Sequence, residues 1–173
     1  MKKFIWLWVP ILIWAGMIFM FSSQPYEKQN LRPLISDMVD LDRFSSLFSD
    51  VSITYAGKVI SVDTVGAAGF LEFAIRKGAH FFVFFILGGL LYRAFITILR
   101  SKKTFAFSLS LSLVGLYAAL DEYHQMFTEN RTPLIHDVIL DVSGGIIGIC
   151  FAFIVYKGMI IKKVLGVSTG SVE

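Results

Sequence analysis

Four long apolar runs divide this sequence, and they leave few folds open to it. The runs cover residues 4–21, 79–99, 104–120 and 138–156. Each is close to the ~20 residues that an α-helix needs to cross a hydrocarbon layer about 30 Å thick. None repeats polar residues every three or four positions, as an amphipathic helix of a soluble protein does. We therefore predict an all-α polytopic membrane protein that folds as a four-helix transmembrane bundle.

The composition supports this prediction. Of the 173 residues, 55% are hydrophobic and 17% are charged, whereas a soluble domain carries about 25% charged residues. Such a chain is too apolar to be disordered. Its length suits one domain, residues 1–173. Cys150 is the single cysteine, so the sequence contains no disulfide framework.

The first apolar run is predicted to be a retained span rather than a cleaved signal peptide. Lys2 and Lys3 give it the basic start that both kinds of segment share. Its apolar stretch is longer than the usual core of a signal peptide. It ends in Phe21-Ser22-Ser23-Gln24-Pro25, which does not have the small-x-small pattern of a cleavage site.

Lysine and arginine are distributed unevenly between the two ends of the predicted bundle. With four spans, both termini and the loop between the second and third spans share one side. That side carries the basic residues Lys2, Lys3, Arg93, Arg100, Lys102, Lys103, Lys157, Lys162 and Lys163, and the acidic residue Glu173. Cytoplasmic loops are enriched in lysine and arginine, so we predict that both termini lie in the cytoplasm. The pI near 9.0 then reflects orientation, and we predict no nucleic acid partner.

A long loop between the first two spans, residues 22–71, is predicted to be extracytoplasmic. It mixes acidic and basic residues, as a water-exposed segment does. Residues 51–62 form two short β-prone stretches around Ala56-Gly57, a pattern that predicts a β-hairpin. An isolated hairpin is only marginally stable, so we expect it to pack on the bundle. Either Ser36 or Asp37 is expected to cap a short helix in this loop.

Polar residues that are unusual in membrane spans gather at the outer end of every predicted helix. They are Ser22, Ser23 and Gln24 in the first span, Glu72, Arg76, Lys77 and His80 in the second, Asp121, Glu122, His124 and Gln125 in the third, and Arg131, His136, Asp137 and Asp141 in the fourth. Ion pairs that only fix the bundle would explain part of this cluster, and Glu72 and Lys77 are expected to be solvated. His80 and Asp141 fall inside apolar runs, where ionisable groups cost about 2.5 kcal/mol or more and commonly mark a functional interior.

The charges at the helix ends predict which spans are neighbours. Asp121 and Glu122 lie at a helix C-terminus, whereas Arg76 and Lys77 lie at a helix N-terminus. Each charge is disfavoured there by up to ~1 kcal/mol. We therefore predict that the second and third spans pack together, with Arg76 or Lys77 facing Asp121 or Glu122.

Several motifs within the polar cluster resemble those of the VanZ-like family. Residues 76–88, which begin Arg-Lys-Gly-Ala-His, resemble its second-span motif, and residues 121–127 resemble its DE-x-HQ-x-F signature. The following positions complete the resemblance: Ser22-Ser23-Gln24 at the end of the first span, and Arg131, Asp137-Val138 and Gly144 in the closing motif. One departure is Asp141, a position that is often Asn in the family. The resemblance covers the whole chain apart from the variable long loop.

This resemblance implies a multi-pass protein of the bacterial cytoplasmic membrane that contributes to glycopeptide resistance of the teicoplanin type. It would bind or shield a component of the cell envelope at the outer leaflet. The implied partners are the lipid bilayer and a lipid-linked cell-wall precursor or a glycopeptide.

An enzyme that acts on a lipid-linked or cell-wall substrate is the second hypothesis. Its candidate catalytic residues are Asp121, Glu122, His124 and His80, with His124 as a proton carrier oriented by Asp121 or Glu122. The candidate substrate-binding residues are Arg76, Gln125, Arg131, Asp137, Asp141, Ser23 and Gln24. The sequence contains no metal-binding spacing such as His-Glu-x-x-His, and it identifies no nucleophile and no cofactor. A transporter is the third hypothesis, and it is disfavoured because no ionisable residue is predicted at the membrane midplane.

Overall fold

The computed structural model describes residues 2–99, 102–128 and 133–164 of this mainly helical protein. In chain order the elements are α1 (Lys2–Ser22), a 3₁₀ helix (Tyr26–Gln29), α2 (Arg32–Met38), α3 (Leu41–Phe48), β1 (Ser52–Tyr55), β2 (Lys58–Ser61), α4 (Val62–Ile98), α5 (Lys103–Gln125) and α6 (Ile135–Val164). Arg131, one of the predicted binding residues, lies outside the described residues.

Four of these helices, α1, α4, α5 and α6, are long and apolar enough to cross a membrane. This confirms the four long apolar helices expected from the apolar runs. Their outward faces carry large apolar side chains that are more than half exposed, including Trp6, Leu12, Phe82, Leu116 and Phe151. An apolar surface of this extent suits contact with lipid.

Helix α4 begins at Val62, well before its apolar run. Ser61 caps it, because the Ser61 hydroxyl accepts from the Thr64 N–H and the Thr64 hydroxyl accepts from the Ser61 N–H. At Gly66 the backbone leaves the helical conformation, with φ 75° and ψ 162°, a region that favours glycine. Most of residues 62–71, predicted to be the end of the loop, are therefore helical.

The segment between α1 and α4 contains the predicted β-hairpin. Strands β1 and β2 pair antiparallel, with Tyr55 opposite Lys58. Ala56 and Gly57 both have positive φ, at 50° and 78°, as a two-residue hairpin turn requires. The structure confirms the hairpin and its turn.

The helix caps in this segment differ from the expectation. Ser36 and Asp37 both lie inside α2, where the Ser36 hydroxyl donates to the Arg32 carbonyl at 2.9 Å. Asp40 caps the next helix, α3, because its carboxylate accepts from the Arg43 N–H at 3.0 Å. The expected cap at Ser36 or Asp37 is therefore wrong.

Helix α4 packs most closely against α6, and glycine makes this approach possible. A Cβ atom added at Gly144 would collide with the Phe81 carbonyl, and one added at Gly148 would collide with the Phe85 carbonyl. Gly88 meets the α6 backbone in the same way. Small residues let helix backbones approach closely, and dispersion contacts then hold the helices together inside a membrane. These contacts set which residues of α4 and α6 face each other.

The core lies among α4, α5 and α6. Phe84, Tyr92, Ile96, Val114 and Ile149 are all at most 1% exposed. Helix α5 packs against both α4 and α6. The prediction that the second and third spans are neighbours is confirmed.

Helix α1 is attached to this three-helix core more loosely. Three of its described side chains are buried, and most of the others face outward. Its middle is held by two hydrogen bonds. The Trp14 indole N–H donates to the Val83 carbonyl at 2.8 Å, and the Tyr117 hydroxyl donates to the Ala15 carbonyl at 2.6 Å.

Candidate functional site

The polar residues predicted at the helix ends come together at one end of the bundle. The end of α1 meets the end of α5 there, with Ser23 Oγ 3.0 Å from His124 Nε2. The first half of α4 meets the start of α6 at the same end, with Lys77 Nζ 2.5 Å from Asp137 Oδ1. All four long helices therefore contribute polar side chains at a similar level.

Within this end, His80 from α4, Asp121 from α5 and Asp141 from α6 converge. Each offers one ligand-type atom, and these three atoms lie within 4.8 Å of one another. His80 Nδ1 is 3.6 Å from Asp141 Oδ1. Asp121 is 4% exposed and Asp141 is 2% exposed, whereas His80 is partly exposed. We call these three residues the polar trio.

The glycine contact between α4 and α6 positions the polar trio. Gly144 meets α4 at Phe81, the residue directly after His80. Asp141 precedes Gly144 by three residues, so the two share a side of α6. The approach of the backbones at Gly144 therefore brings Asp141 next to His80, and α5 supplies Asp121 from its place against both helices.

Gln125 holds one of the two carboxylates of the trio. The Gln125 side-chain N–H donates to Asp121 Oδ2 at 3.0 Å, across one turn of α5. Asp141 Oδ1 is buried and accepts no hydrogen bond from any part of the chain that the structure describes. Because an ionised carboxylate is costly to bury without a partner, these surroundings favour a proton or a cation at Asp141.

Glu122 and His124 make their described contacts elsewhere. The Glu122 carboxylate accepts a hydrogen bond from the Leu134 N–H and ties the end of α5 to the start of α6. The His124 ring lies beside Ser23 and stacks on Phe19, with 4.4 Å between ring centres. Phe19 of α1 and Ser23 directly after this helix, rather than a carboxylate of α5, orient His124, which corrects the expected pairing.

Lys77 pairs with α6 rather than with α5. Its ammonium lies 2.5 Å from Asp137 Oδ1 and 4.7 Å from the centre of the Tyr55 ring. The Tyr55 hydroxyl donates to the same carboxylate oxygen. The expectation that Lys77 is solvated is therefore wrong. Of the two cations predicted to face Asp121 or Glu122, Lys77 faces Asp137 instead, because the glycine contact brings α6 against this face of α4.

Tyr55 attaches the hairpin to the bundle through this contact. Burial, followed by the hydrogen bond and the negative charge of Asp137, raises the pKa of Tyr55 well above its usual range. The phenol therefore keeps its proton and remains a donor. Tyr55 carries no sequence signal for this role, because it lies in the loop, far from Asp137 along the chain.

A second contact ties the loop to α4. Arg32 Nε is 2.8 Å from Glu72 Oε2, and the Leu31 N–H donates to Glu72 Oε1 at 3.1 Å. Glu72 is 3% exposed, so the expectation that it is solvated is wrong. A lone arginine in a charged loop gives no signal from which this pair could have been predicted.

A cavity of about 460 Å³ lies between α1 and α4 and reaches the polar trio. Four predicted site residues line it: Gln24, Arg76, His80 and Asp121. Lys28 and Gln29 from the loop line it as well, although no motif in the sequence marks them as site residues. Toward the middle of the bundle the lining is apolar, with Met17, Ile18 and Val83. The cavity therefore joins an apolar region to a polar one.

This fold and its polar end define a multi-pass helical membrane protein with ionisable side chains gathered at one end of the bundle. The chain belongs to the VanZ/LLP1 family, whose model matches residues 7–156. This match confirms the resemblance to the VanZ-like family that the motifs indicate. No curated protein and no solved structure matches the chain.

Proposed function

We propose that this VanZ/LLP1-family protein binds an anionic amphiphile of the bacterial cell envelope in the cavity between α1 and α4. By binding or shielding that component, it contributes to resistance against teicoplanin-type glycopeptides. The make-up of the cavity carries the proposal, because an apolar depth leads to cationic side chains beside the polar trio. A lipid-linked cell-wall precursor has the matching chemistry, a hydrocarbon chain joined to a phosphate.

Arg76 and Lys28 are the cations that the headgroup would meet in this cavity. The guanidinium of Arg76 suits bidentate binding of a phosphate or a carboxylate. Arg76 lies one turn from His80 on α4, so a headgroup held by Arg76 would be close to the polar trio. Met17 and Val83 would contact the hydrocarbon chain, with burial of apolar surface as the driving force.

The cavity is proposed to face the outer leaflet of the cytoplasmic membrane, with both chain termini in the cytoplasm. Cations toward the other end of the bundle support this orientation: Arg93 in the last turns of α4, Lys102 and Lys103 at the start of α5, and Lys157 in α6. Cytoplasmic ends of membrane spans carry such an excess of lysine and arginine.

Labelling of single cysteines tests the orientation. In a protein that carries Cys150→Ser, a Lys58→Cys substitution at the exposed start of β2 is expected to react with a membrane-impermeant thiol reagent on intact cells. A Lys103→Cys substitution at the start of α5 should react only after the cells are permeabilised. The reverse pattern would place the cavity on the cytoplasmic side and contradict the proposed localisation.

Glycopeptide susceptibility tests the role in resistance. Deletion of the protein is expected to raise teicoplanin susceptibility, and the wild-type chain should restore tolerance. Arg76→Gln should fail to restore it at normal membrane abundance. Arg93→Gln is the matched control, because it removes an arginine from the opposite end of the same helix. Unchanged teicoplanin susceptibility after deletion would refute the resistance role.

A membrane enzyme that acts on the same class of substrate is the second candidate. The polar trio favours it, because a histidine beside two buried carboxylates can take up and release a proton next to a bound headgroup. Purified wild-type protein is then expected to turn over a lipid-linked precursor, and His80→Gln protein to lose that turnover. Equal turnover by the wild-type and His80→Gln proteins would contradict a catalytic role of the polar trio.

A further inference from the structure

We infer that His80, Asp121 and Asp141 form a binding site for one divalent transition-metal cation, of the zinc or manganese type. The inference goes beyond the proposed amphiphile binding and does not depend on it. It rests on three observations: the convergence of the ligand atoms, the surroundings of Asp141, and the cavity that leads to the site. Sequence spacing gives no sign of the site, because the three ligands come from three different helices.

The chemistry and geometry of the trio suit such a cation. One imidazole nitrogen and two carboxylate oxygens lie within 4.8 Å of one another. Zinc binds these ligand types at about 2.0–2.2 Å, so two ligands on the same ion are about 3–4 Å apart. Side-chain movements of about 1 Å would therefore close the three atoms around one ion. Imidazole and carboxylate ligands together favour zinc or manganese over calcium, which takes oxygen ligands alone.

Asp141 provides the second observation. It is 2% exposed, and its Oδ1 atom accepts no hydrogen bond from residues 2–99, 102–128 or 133–164. The His80 imidazole, at 3.6 Å, lies beyond hydrogen-bond distance of this oxygen. The trio contains two buried carboxylates, Asp121 and Asp141, in a low-dielectric interior. A divalent cation would neutralise both charges and supply the partner that Asp141 Oδ1 requires.

The groups around the trio match those around known metal sites. Carboxylates that bind metals are usually held by further hydrogen bonds, and Gln125 donates such a bond to Asp121 Oδ2 at 3.0 Å. Glu122 lies beside Asp121 in the sequence, but its carboxylate accepts a hydrogen bond from the Leu134 N–H. We therefore assign Glu122 to the contact between α5 and α6 and not to the metal site.

The cavity provides a route to the site and an open coordination position. His80 and Asp121 line the cavity between α1 and α4. Three protein ligands leave a fourth position for water or for a group from the cavity, as in zinc sites that act on a bound molecule. A structural zinc site would instead be closed by a fourth protein ligand.

Metal binding by the purified full-length protein tests the inference. Protein in detergent, first treated with a chelator, is titrated with Zn²⁺ or Mn²⁺ alone, and the bound metal is counted after removal of the free ion. We expect about one ion per chain in the wild-type protein. Asp141→Asn is expected to weaken binding by at least about 10- to 100-fold, the loss that follows from removing even a supporting partner of a metal ligand.

Asp137→Asn is the matched control, because it changes the same residue type one turn earlier on α6 and should keep the wild-type affinity. Thermal unfolding gives a second measurement on each protein, since a cation that binds only the folded state raises its unfolding temperature. Wild-type protein that binds no metal and is not stabilised by either ion would overturn the inference, whatever the variants do. Equal metal affinity in wild-type and Asp141→Asn proteins would also overturn it.

Discussion

Asp137 and Asp141 lie one turn apart on α6, yet their surroundings differ. Asp137 has a lysine ammonium at 2.5 Å and accepts a hydrogen bond from the Tyr55 hydroxyl. Asp141 is more deeply buried, and the closest described cation-forming group is an imidazole at 3.6 Å. Two carboxylates of one helix thus differ in the ion-pair and hydrogen-bond partners that the fold gives them.

We interpret this difference as one between a structural role for Asp137 and a binding role for Asp141. A carboxylate with an ammonium and a phenol beside it has most of its bonding capacity used inside the protein, so it stabilises the fold. A buried carboxylate oxygen without such partners stabilises little, and it is available to a proton, a cation or a ligand. We therefore expect Asp137 to be important for stability, and Asp141 for binding.

The largest expected effect comes from removing the contact that places both carboxylates. Gly148→Leu would drive a side chain into the Phe85 carbonyl and force α4 and α6 apart. We expect a loss of about 3 kcal/mol or more in the free energy of unfolding, together with lower membrane abundance. Thermal unfolding in detergent measures it. Gly115→Ala on α5 is the control, because an added Cβ there meets nothing within 4 Å. Wild-type stability in Gly148→Leu would contradict the proposed packing.

The next effect separates Asp137 from Asp141. Lys77→Met leaves the Asp137 carboxylate, which is 15% exposed, without its cation. We expect a loss of about 1–3 kcal/mol in the free energy of unfolding, measured by thermal unfolding. The double variant Lys77→Met/Asp137→Leu should regain most of this loss, because it removes the uncompensated charge. The Zn²⁺ affinity of the Lys77→Met protein should equal that of the wild type. A drop in its Zn²⁺ affinity alongside the loss of stability would mean that Asp137 and Asp141 act as one unit.

A smaller effect is expected from Tyr55→Phe, which keeps the ring and removes the donor to Asp137. The free energy of unfolding of the variant should fall by about 1 kcal/mol, and the hairpin should be cleaved faster in limited proteolysis.

The pKa of Tyr55 is raised in the folded protein. The stability from this contact is therefore complete below the ordinary tyrosine pKa of about 10, and it is lost only as the pH rises toward the raised value. Ionisation of Tyr55 near pH 10 in an absorbance titration would contradict this contact.

The smallest expected effect on stability is that of Asp141→Asn in metal-free protein. The substitution removes a buried charge but no described hydrogen bond to its Oδ1 atom, so the free energy of unfolding should stay within about 1 kcal/mol of the wild-type value. Added Zn²⁺ should then stabilise the wild-type protein alone. A metal-free Asp141→Asn protein less stable than Lys77→Met would reverse the roles assigned to the two carboxylates.

The features that were predictable from the sequence depend on local patterns. Apolar runs of sufficient length predicted four spans, and the Ala56-Gly57 turn predicted the hairpin. The convergence of polar residues at one end followed from the alternating direction of successive spans. The first two depend on spacing within one stretch of chain, and the third depends only on the number and order of the spans.

The features that the sequence did not predict depend on which helix faces meet. Helix-dipole reasoning placed either Arg76 or Lys77 opposite α5, whereas the approach of α4 and α6 at Gly144 gives Lys77 a partner on α6, Asp137. The same contact assembles His80 and Asp141. The pair of Arg32 and Glu72 joins the loop to α4 across a long separation along the chain, and no local spacing predicts it.

The loose attachment of α1 has a consequence for evolution. Two side-chain hydrogen bonds hold its middle to the core, both with a backbone carbonyl as the acceptor. Substitutions on α1 and in the loop that follows it can therefore reshape one wall of the cavity while the α4–α6 pair keeps its geometry. Descendants of such a protein can change the shape of the cavity through α1 and the loop, and inherit the polar trio unaltered.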